Sequence, residues 1–166
     1  MADPVKFAVL TVSDRSALGQ RADESGPRLQ RLLEETLNSA CYAYQVVPDD
    51  HDAIVQQLCS WSDVQDCQLI CTTGGTGLSP RDITPDATRS LIDRPIPGIA
   101  EAIRAAGQQH TPLAMLSRGV VGQRSRTLII NFSGSPRAVD EQFAVVAPVL
   151  RHALDVLAGS AGDCAR

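Results

Sequence analysis

The stretch QLICTTGGTG, residues 68–77, decides the fold. Its first part, Gln68 to Thr73, is short and apolar and reads as a strand buried on both faces. Gly74 and Gly75 end it. Glycine permits positive φ and lets a ligand approach the backbone closely. Successive backbone N–H groups in such a loop can cradle phosphate oxygens. No GK[ST] follows, and the spacing is not GxGxxG, so this is neither a Walker loop nor a dinucleotide fingerprint. On its residues alone the loop points to an anion or a nucleotide, with a plain turn as the alternative.

Working outward, strands alternate with helices. Lys6–Val12 (KFAVLTV), Tyr42–Val47 and Thr127–Phe132 (TLIINF) read as further strands. Ser25-Gly26-Pro27 reads as a helix start with Pro27 at the first helical position, followed by Leu29, Leu32, Leu33 and Leu37 at helical spacing. His51–Trp61 reads as a helix, as do the segment from Pro85, the segment Gly98–Ala106 after Pro95 and Pro97, and the long run from Ser135-Pro136 to Gly159. Pro148 inside that last run predicts a kink. Leu113–Leu116 reads as a short strand, and Asp163–Arg166 as a frayed end. The expected fold is therefore α/β in three layers, a mostly parallel sheet flanked by helices, with 1–166 as a single domain. Ligands of such sheets bind beyond the carboxyl ends of the strands.

Bulk composition narrows the function. A net charge of -4 argues against general nucleic-acid or membrane-surface binding. No apolar run approaches the roughly 18–20 residues of a bilayer span, and no signal peptide is visible, so a cytoplasmic location is expected. The five cysteines include no CxxC pair, and the three histidines lie apart from them, which predicts buried reduced thiols rather than zinc.

Four strand ends deliver small, acidic or amide side chains to one edge. They carry Ser13-Asp14-Arg15, Pro48-Asp49-Asp50, the run Thr73-Gly74-Gly75-Thr76-Gly77, and Ser133-Gly134-Ser135-Pro136 with Asn131 just before. Each has a plainer reading. Ser13, Asp14 and Asp49 suit turns or caps, and Ser135 suits an N-cap that is also an anion site. Asn131 in an apolar strand needs hydrogen-bond partners. Thr84 before Pro85 reads as an N-cap, with Asp86 then serving the helix dipole. Asp82 has no visible structural task. Carboxylates beside a phosphate cradle commonly hold Mg²⁺, so Asp49 and Asp82 are expected to hold metal-bound ATP. From Glu101 to Asp140 no acid intervenes while Arg104, Arg118, Arg124, Arg126 and Arg137 occur, which suggests an anion-recognising face or arginines merely scattered over the surface.

Taken together and in order, LTVSDR (10–15), TTGGTG (72–77), SPRDITPDAT (79–88), Met115-Leu116-Ser117-Arg118 and TLIINFSGSP (127–136) resemble the MogA/MoaB-like family of molybdenum cofactor biosynthesis. The resemblance runs from about Lys6 to Leu157 and is nearest the adenylyltransferase branch. It implies transfer of AMP from Mg-ATP to the phosphate of molybdopterin, with pyrophosphate released. Binding without efficient transfer, as a MoaB-like or scaffold protein, is the alternative. It also implies a homotrimer and a downstream molybdenum-insertion protein as partner. By position it places the acids on Asp49 and Asp82, both as catalytic residues and as Mg²⁺ ligands. Phosphate contacts fall on Ser13, Asp14, Thr73, Gly74, Gly75, Thr76 and Gly77, and pterin contacts on Ser117, Asn131, Gly134 and Ser135. The family's usual proline is replaced by Ser133, which predicts a looser loop there.

Overall fold

The computed structural model describes residues 4–160. Six strands form one sheet in the order β2-β1-β3-β6-β5-β4. β1 (Phe7–Val12), β2 (Ala43–Val47), β3 (Leu69–Thr73) and β6 (Thr127–Phe132) run parallel, while β5 (Val121–Arg124) and β4 (Arg94–Pro95) add antiparallel at one edge. The three-layer, mostly parallel architecture is as the sequence implied.

The strict alternation of side chains along a strand splits the core in two. Phe7, Val9, Leu69, Cys71, Leu128 and Ile130 face one side, against α2 (Ser25–Leu37), α5 (Pro97–Gly107) and α6 (Pro136–Leu157). Ala8, Leu10, Val12, Ile70 and Ile129 face the other, against α3 (His51–Cys59) and α4 (Thr84–Leu91). β1, β3 and β6 are buried along their whole length. Each fully buried Leu, Ile or Phe contributes about 1.5–3 kcal/mol of transfer free energy.

Several local readings are corrected. α2 begins at Ser25, so Pro27 is its third residue, not its first. α3 gives way to a π-helical turn at Ser60–Val64 before the chain leaves the helix. Leu113–Leu116 is no strand. Thr111 caps a 3₁₀ turn, Pro112–Leu116, and three of its apolar side chains remain exposed. α6 spans Pro148 as expected, one helix from Pro136 to Leu157. α4 begins at Thr84 itself with Ile83 at the cap position, so the Thr84 side chain caps nothing. β4 and β5 and the short helix α1 (Asp14–Ala17) had no reading in the sequence.

Cys67 and Cys71 are buried, Cys41 and Cys59 partly so, and all four are free thiols. Burial pushes the Cys67 thiol up to about 11 and that of Cys71 higher still, which keeps both protonated and inert. Cys164 and the expected frayed end lie outside the described residues. Among the described residues no helix is long and apolar enough to cross a membrane.

Candidate active site

The carboxyl ends of β1, β3 and β6 meet almost without side chains between them. Gly74 takes φ +97° and its N–H donates to the Phe132 carbonyl at 3.1 Å. A Cβ on Gly74 would stand 2.3 Å from the Val12 carbonyl oxygen, and one on Gly134 would stand 3.2 Å from the Gly74 Cα. Thr73 Oγ1 closes the junction by donating to the Ser133 carbonyl at 2.8 Å. Only glycine fits this approach, which is why the loop after β3 is built from it.

The acids stand against that loop. Asp14 and Asp49 exchange bonds: the Asp14 N–H donates to Asp49 Oδ2 at 2.8 Å, and the Asp49 N–H to Asp14 Oδ1 at 2.9 Å. Arg81 donates through Nε and Nη2 to Asp14 Oδ2, at 3.0 and 2.6 Å. That guanidinium, followed by the Asp49 amide, holds the Asp14 carboxyl below its ordinary range. Asp49 goes the other way. Burial raises it, and the charges of Asp14 and Asp82 add to the effect. Asp49 Oδ1 lies 3.2 Å from where a Cβ on Gly75 would be, and Asp82 Oδ2 lies 2.8 Å from the equivalent point on Gly77. Asp82 does have a structural task after all: its Oδ2 accepts from the Ser79 N–H at 3.0 Å, closing the turn before α4.

Arg118 fastens the outer half of the loop. Its backbone N–H donates to the Thr76 carbonyl at 2.9 Å and its Nε to the Gly77 carbonyl at 2.9 Å. Nη2 donates to the Asp82 carbonyl, and the guanidinium pairs with the Asp86 carboxylate at 2.9 Å. Four of the five arginines between Glu101 and Asp140 are therefore committed to partners within the chain. Arg118 is spent on the loop, Arg104 on the Gly119 carbonyl, Arg124 on Asp63 and Arg137 on Glu141. Asp86 serves Arg118 as well as the helix dipole.

Asn131 is 3% exposed and fully engaged. Its amide donates to Thr72 Oγ1 at 2.9 Å and Thr88 Oγ1 at 3.0 Å, and its Oδ1 accepts from the Val120 N–H at 3.1 Å. Ser117 is half-buried, and its Oγ accepts from the Gly119 N–H at 3.3 Å. Ser13 caps α1 and Ser135 caps α6. Ser133, in place of the proline, ties the loop to α6. Ser133 N–H donates to Gln142 Oε1 at 2.9 Å, and Gln142 Nε2 donates to Ser133 Oγ at 2.8 Å.

Two clefts flank the loop. One, of about 120 Å³, is lined by Thr11, Ser13, Asp23, Thr73, Gly74 and Gly134, among others. The other, of about 250 Å³, is lined by Thr76, Gly77, Leu113, Ser117, Ser133 and Gln142, among others. The glycine loop runs from the first into the second. Gly134, expected on the pterin side, borders the first cleft beside Ser13 and Gly74. Among the described residues no three carboxylate, imidazole or thiol groups converge on a point. A cation held here would complete its shell with phosphate, water or hydroxyl oxygens.

The family model described as "Probable molybdopterin binding domain" matches residues 8–152, from β1 into α6. The chain belongs to this MogA/MoaB-like family. A molybdopterin adenylyltransferase of Helicobacter pylori is 37% identical over 157 residues, covering 94% of this chain and 89% of that one. The molybdenum cofactor synthesis protein cinnamon of Drosophila melanogaster is 39% identical over 155 residues, but the match spans only 26% of its length. The solved MoaB of Thermus thermophilus superposes with a TM-score of 0.88 at 45% identity, covering 93% of this chain and 97% of that one. The match takes in both clefts of this MogA/MoaB-like chain and every site residue named above. Arg81 and Gln142 had no role assigned from sequence, and Arg118 only a place on a possible anion-recognising face, because the partners through which they act cannot be read from their immediate neighbours.

The first cleft has a wall worth testing. Asp23 is half-buried, and burial alone would raise its pKa. Hydrogen bonds from Thr11, Tyr44, Gly26 and Ser25 outweigh this and hold it below the ordinary carboxylate range. A depressed carboxylate contributes stability that is present above its unfolded pKa and is lost as pH falls through the folded one. Asp23→Asn should therefore cost about 1–2 kcal/mol at pH 7. The deficit should narrow in melts taken below about pH 3.9, and an equal deficit at all pH values would contradict the charge assignment.

Proposed function

We propose that this chain transfers AMP from Mg-ATP to the terminal phosphate of molybdopterin. The observation that carries the reading is the glycine loop bridging two clefts with two carboxylates against it. Relatives named for this activity support it. ATP lies with its phosphates along Gly74–Gly77 from the cleft of Ser13 and Asp23, and the pterin occupies the cleft of Ser117. A phosphate oxygen of molybdopterin attacks the α-phosphorus, the bond from that phosphorus to its bridging oxygen breaks, and pyrophosphate leaves with the electron pair. Such transfer asks the protein for positioning and charge neutralisation more than covalent chemistry.

Asp49 and Asp82 fit a divalent cation. Asp49 Oδ1 accepts no hydrogen bond from any described residue, and Asp82 stands against the same loop at Gly77. Bound there with ATP, Mg²⁺ would neutralise charge developing on the phosphates. Asn131, with its amide fully committed, positions Val120, Thr72 and Thr88 behind the loop. On the same reading the chain acts as one domain in the cytoplasm, as a homotrimer, and passes its product to a molybdenum-insertion protein. The exposed Leu113, Met115 and Leu116 offer apolar surface for such contacts.

The test is incubation with molybdopterin, ATP and Mg²⁺. Adenylylated molybdopterin is expected, and pterin binding without product would instead favour a binding-only protein. Within this mechanism Arg118→Gln should lower kcat/KM by about tenfold to a hundredfold, since misplacement of the loop by about 1 Å is costly. Arg118→Lys should recover little, because an ammonium cannot span two carbonyls and a carboxylate. Full activity of Arg118→Gln in a steady-state assay would contradict this.

A further inference from the structure

Thr84 Oγ1 is the one buried side-chain nitrogen or oxygen among the described residues that has no hydrogen-bond partner. The residue is 0% exposed. An orphaned hydroxyl costs about 1–3 kcal/mol, so its persistence calls for a compensating role. Its position is specific. Thr84 opens α4, and its N–H donates to the Gly75 carbonyl at 3.1 Å. Its own carbonyl accepts from Thr88 Oγ1 at 2.8 Å, and Thr88 in turn accepts from Asn131. The backbone around it is thus fixed on both sides, and only Oγ1 is uncommitted.

That oxygen meets a second uncommitted one. A Cβ on Gly75 would lie 2.4 Å from Thr84 Oγ1 and 3.2 Å from Asp49 Oδ1. Asp49 Oδ2 accepts from Asp14, while Oδ1 accepts nothing from the described residues. A carboxylate oxygen and a hydroxyl oxygen, both without partners, therefore face one point over a glycine in the positive-φ region. Hard divalent cations take this donor set.

We propose that Thr84 Oγ1, with Asp49 Oδ1, is an oxygen ligand of the divalent cation that accompanies the nucleotide. The inference rests on the adenylyl-transfer reading and adds to it a neutral ligand that completes the carboxylate pair. It also accounts for the retention of a buried hydroxyl whose burial is costly. The threonine stands inside α4, with Ile83 at the cap position, and its hydroxyl is turned to the glycine loop.

The experiment is binding of Mn²⁺ with α,β-methylene-ATP, followed by electron paramagnetic resonance, alongside thermal melts. Thr84→Val keeps the shape and removes the hydroxyl. It is expected to weaken Mn²⁺ binding about tenfold while its Tm equals or exceeds that of the parent. Thr84→Ser and Thr84→Ala both lose the γ-methyl and differ in the hydroxyl alone, so serine should bind Mn²⁺ markedly better than alanine. Mn²⁺ binding by Thr84→Val within twofold of the parent, or equal binding by the serine and alanine variants, would overturn the proposal. A parent chain that binds no Mn²⁺ with the nucleotide would instead overturn the adenylyl-transfer reading beneath it.

Discussion

Asp49→Asn should lower adenylyl transfer by about a hundredfold to a thousandfold, the scale expected when a preorganised charge is lost from a phosphoryl or acyl transfer site. It should do so without weakening the fold. The asparagine carbonyl can keep the bond from the Asp14 N–H. Its amide, in place of Oδ1, would point to the side where Thr84 Oγ1 stands without a partner. Electrostatics give the same sign. Burial, then the charges of Asp14 and Asp82, raise the Asp49 pKa in the folded chain. A raised carboxylate binds its proton more tightly folded than unfolded, so its ionised form costs stability at neutral pH. Asparagine avoids that cost. Melts at pH 7 should place the variant at or above the parent, with the advantage shrinking as pH falls through the raised titration range of Asp49. A variant that is both inactive and clearly less stable would mean Asp49 is structural rather than catalytic.

Gly74→Ala is expected to act in the opposite way, mainly on stability. Its φ of +97° lies where an L side chain is strained, at a cost of about 1–2 kcal/mol. The added Cβ would meet the Val12 carbonyl oxygen at 2.3 Å. That oxygen belongs to the backbone of a fully buried strand, so relief requires moving β1 against β3, a further cost of about 1–3 kcal/mol. A total near 3 kcal/mol corresponds to a fall in Tm of about 6–12 °C for a chain of this size. Gly98→Ala is the control. It lies in α5 with no atom within 4 Å of an added Cβ, and should be neutral or stabilising by about 0.5–1 kcal/mol. Similar melting shifts for the two would show that the crowding at Gly74 does not matter.

The four parallel strands were legible because each is a short apolar run ended by glycine, proline or a polar pair. β5 was not. Its sequence, VGQR, has glycine and two polar residues, and becomes a strand only because β6 offers it an antiparallel edge. Leu113–Leu116 looked like a strand from composition, yet Pro112 and the Thr111 cap make the segment a turn. At the site, the strand-end rule brought Asp14, Asp49 and the glycines to one edge, and Asp82 was singled out separately as a loop carboxylate beside them. What local sequence could not carry was pairing. Arg81 reaches Asp14 across 67 positions and Arg118 reaches Asp86 across 32. Nor could it show that Asn131 is already satisfied, or that Thr84 is not.

The order of strands in the sheet bears on how the protein is made. β3 sits between β1 and β6, and β6 starts only at Thr127, more than fifty positions after β3 ends. A nascent chain emerging from the ribosome can pair β1, β2 and β3 early. One edge of β3 then stays open, with its apolar faces half covered, until the last quarter of the chain is synthesised. Open strand edges of this kind invite pairing with other chains. Slow or interrupted synthesis beyond Gly77 should therefore expose this protein to aggregation and to chaperone capture well before β6 covers that edge.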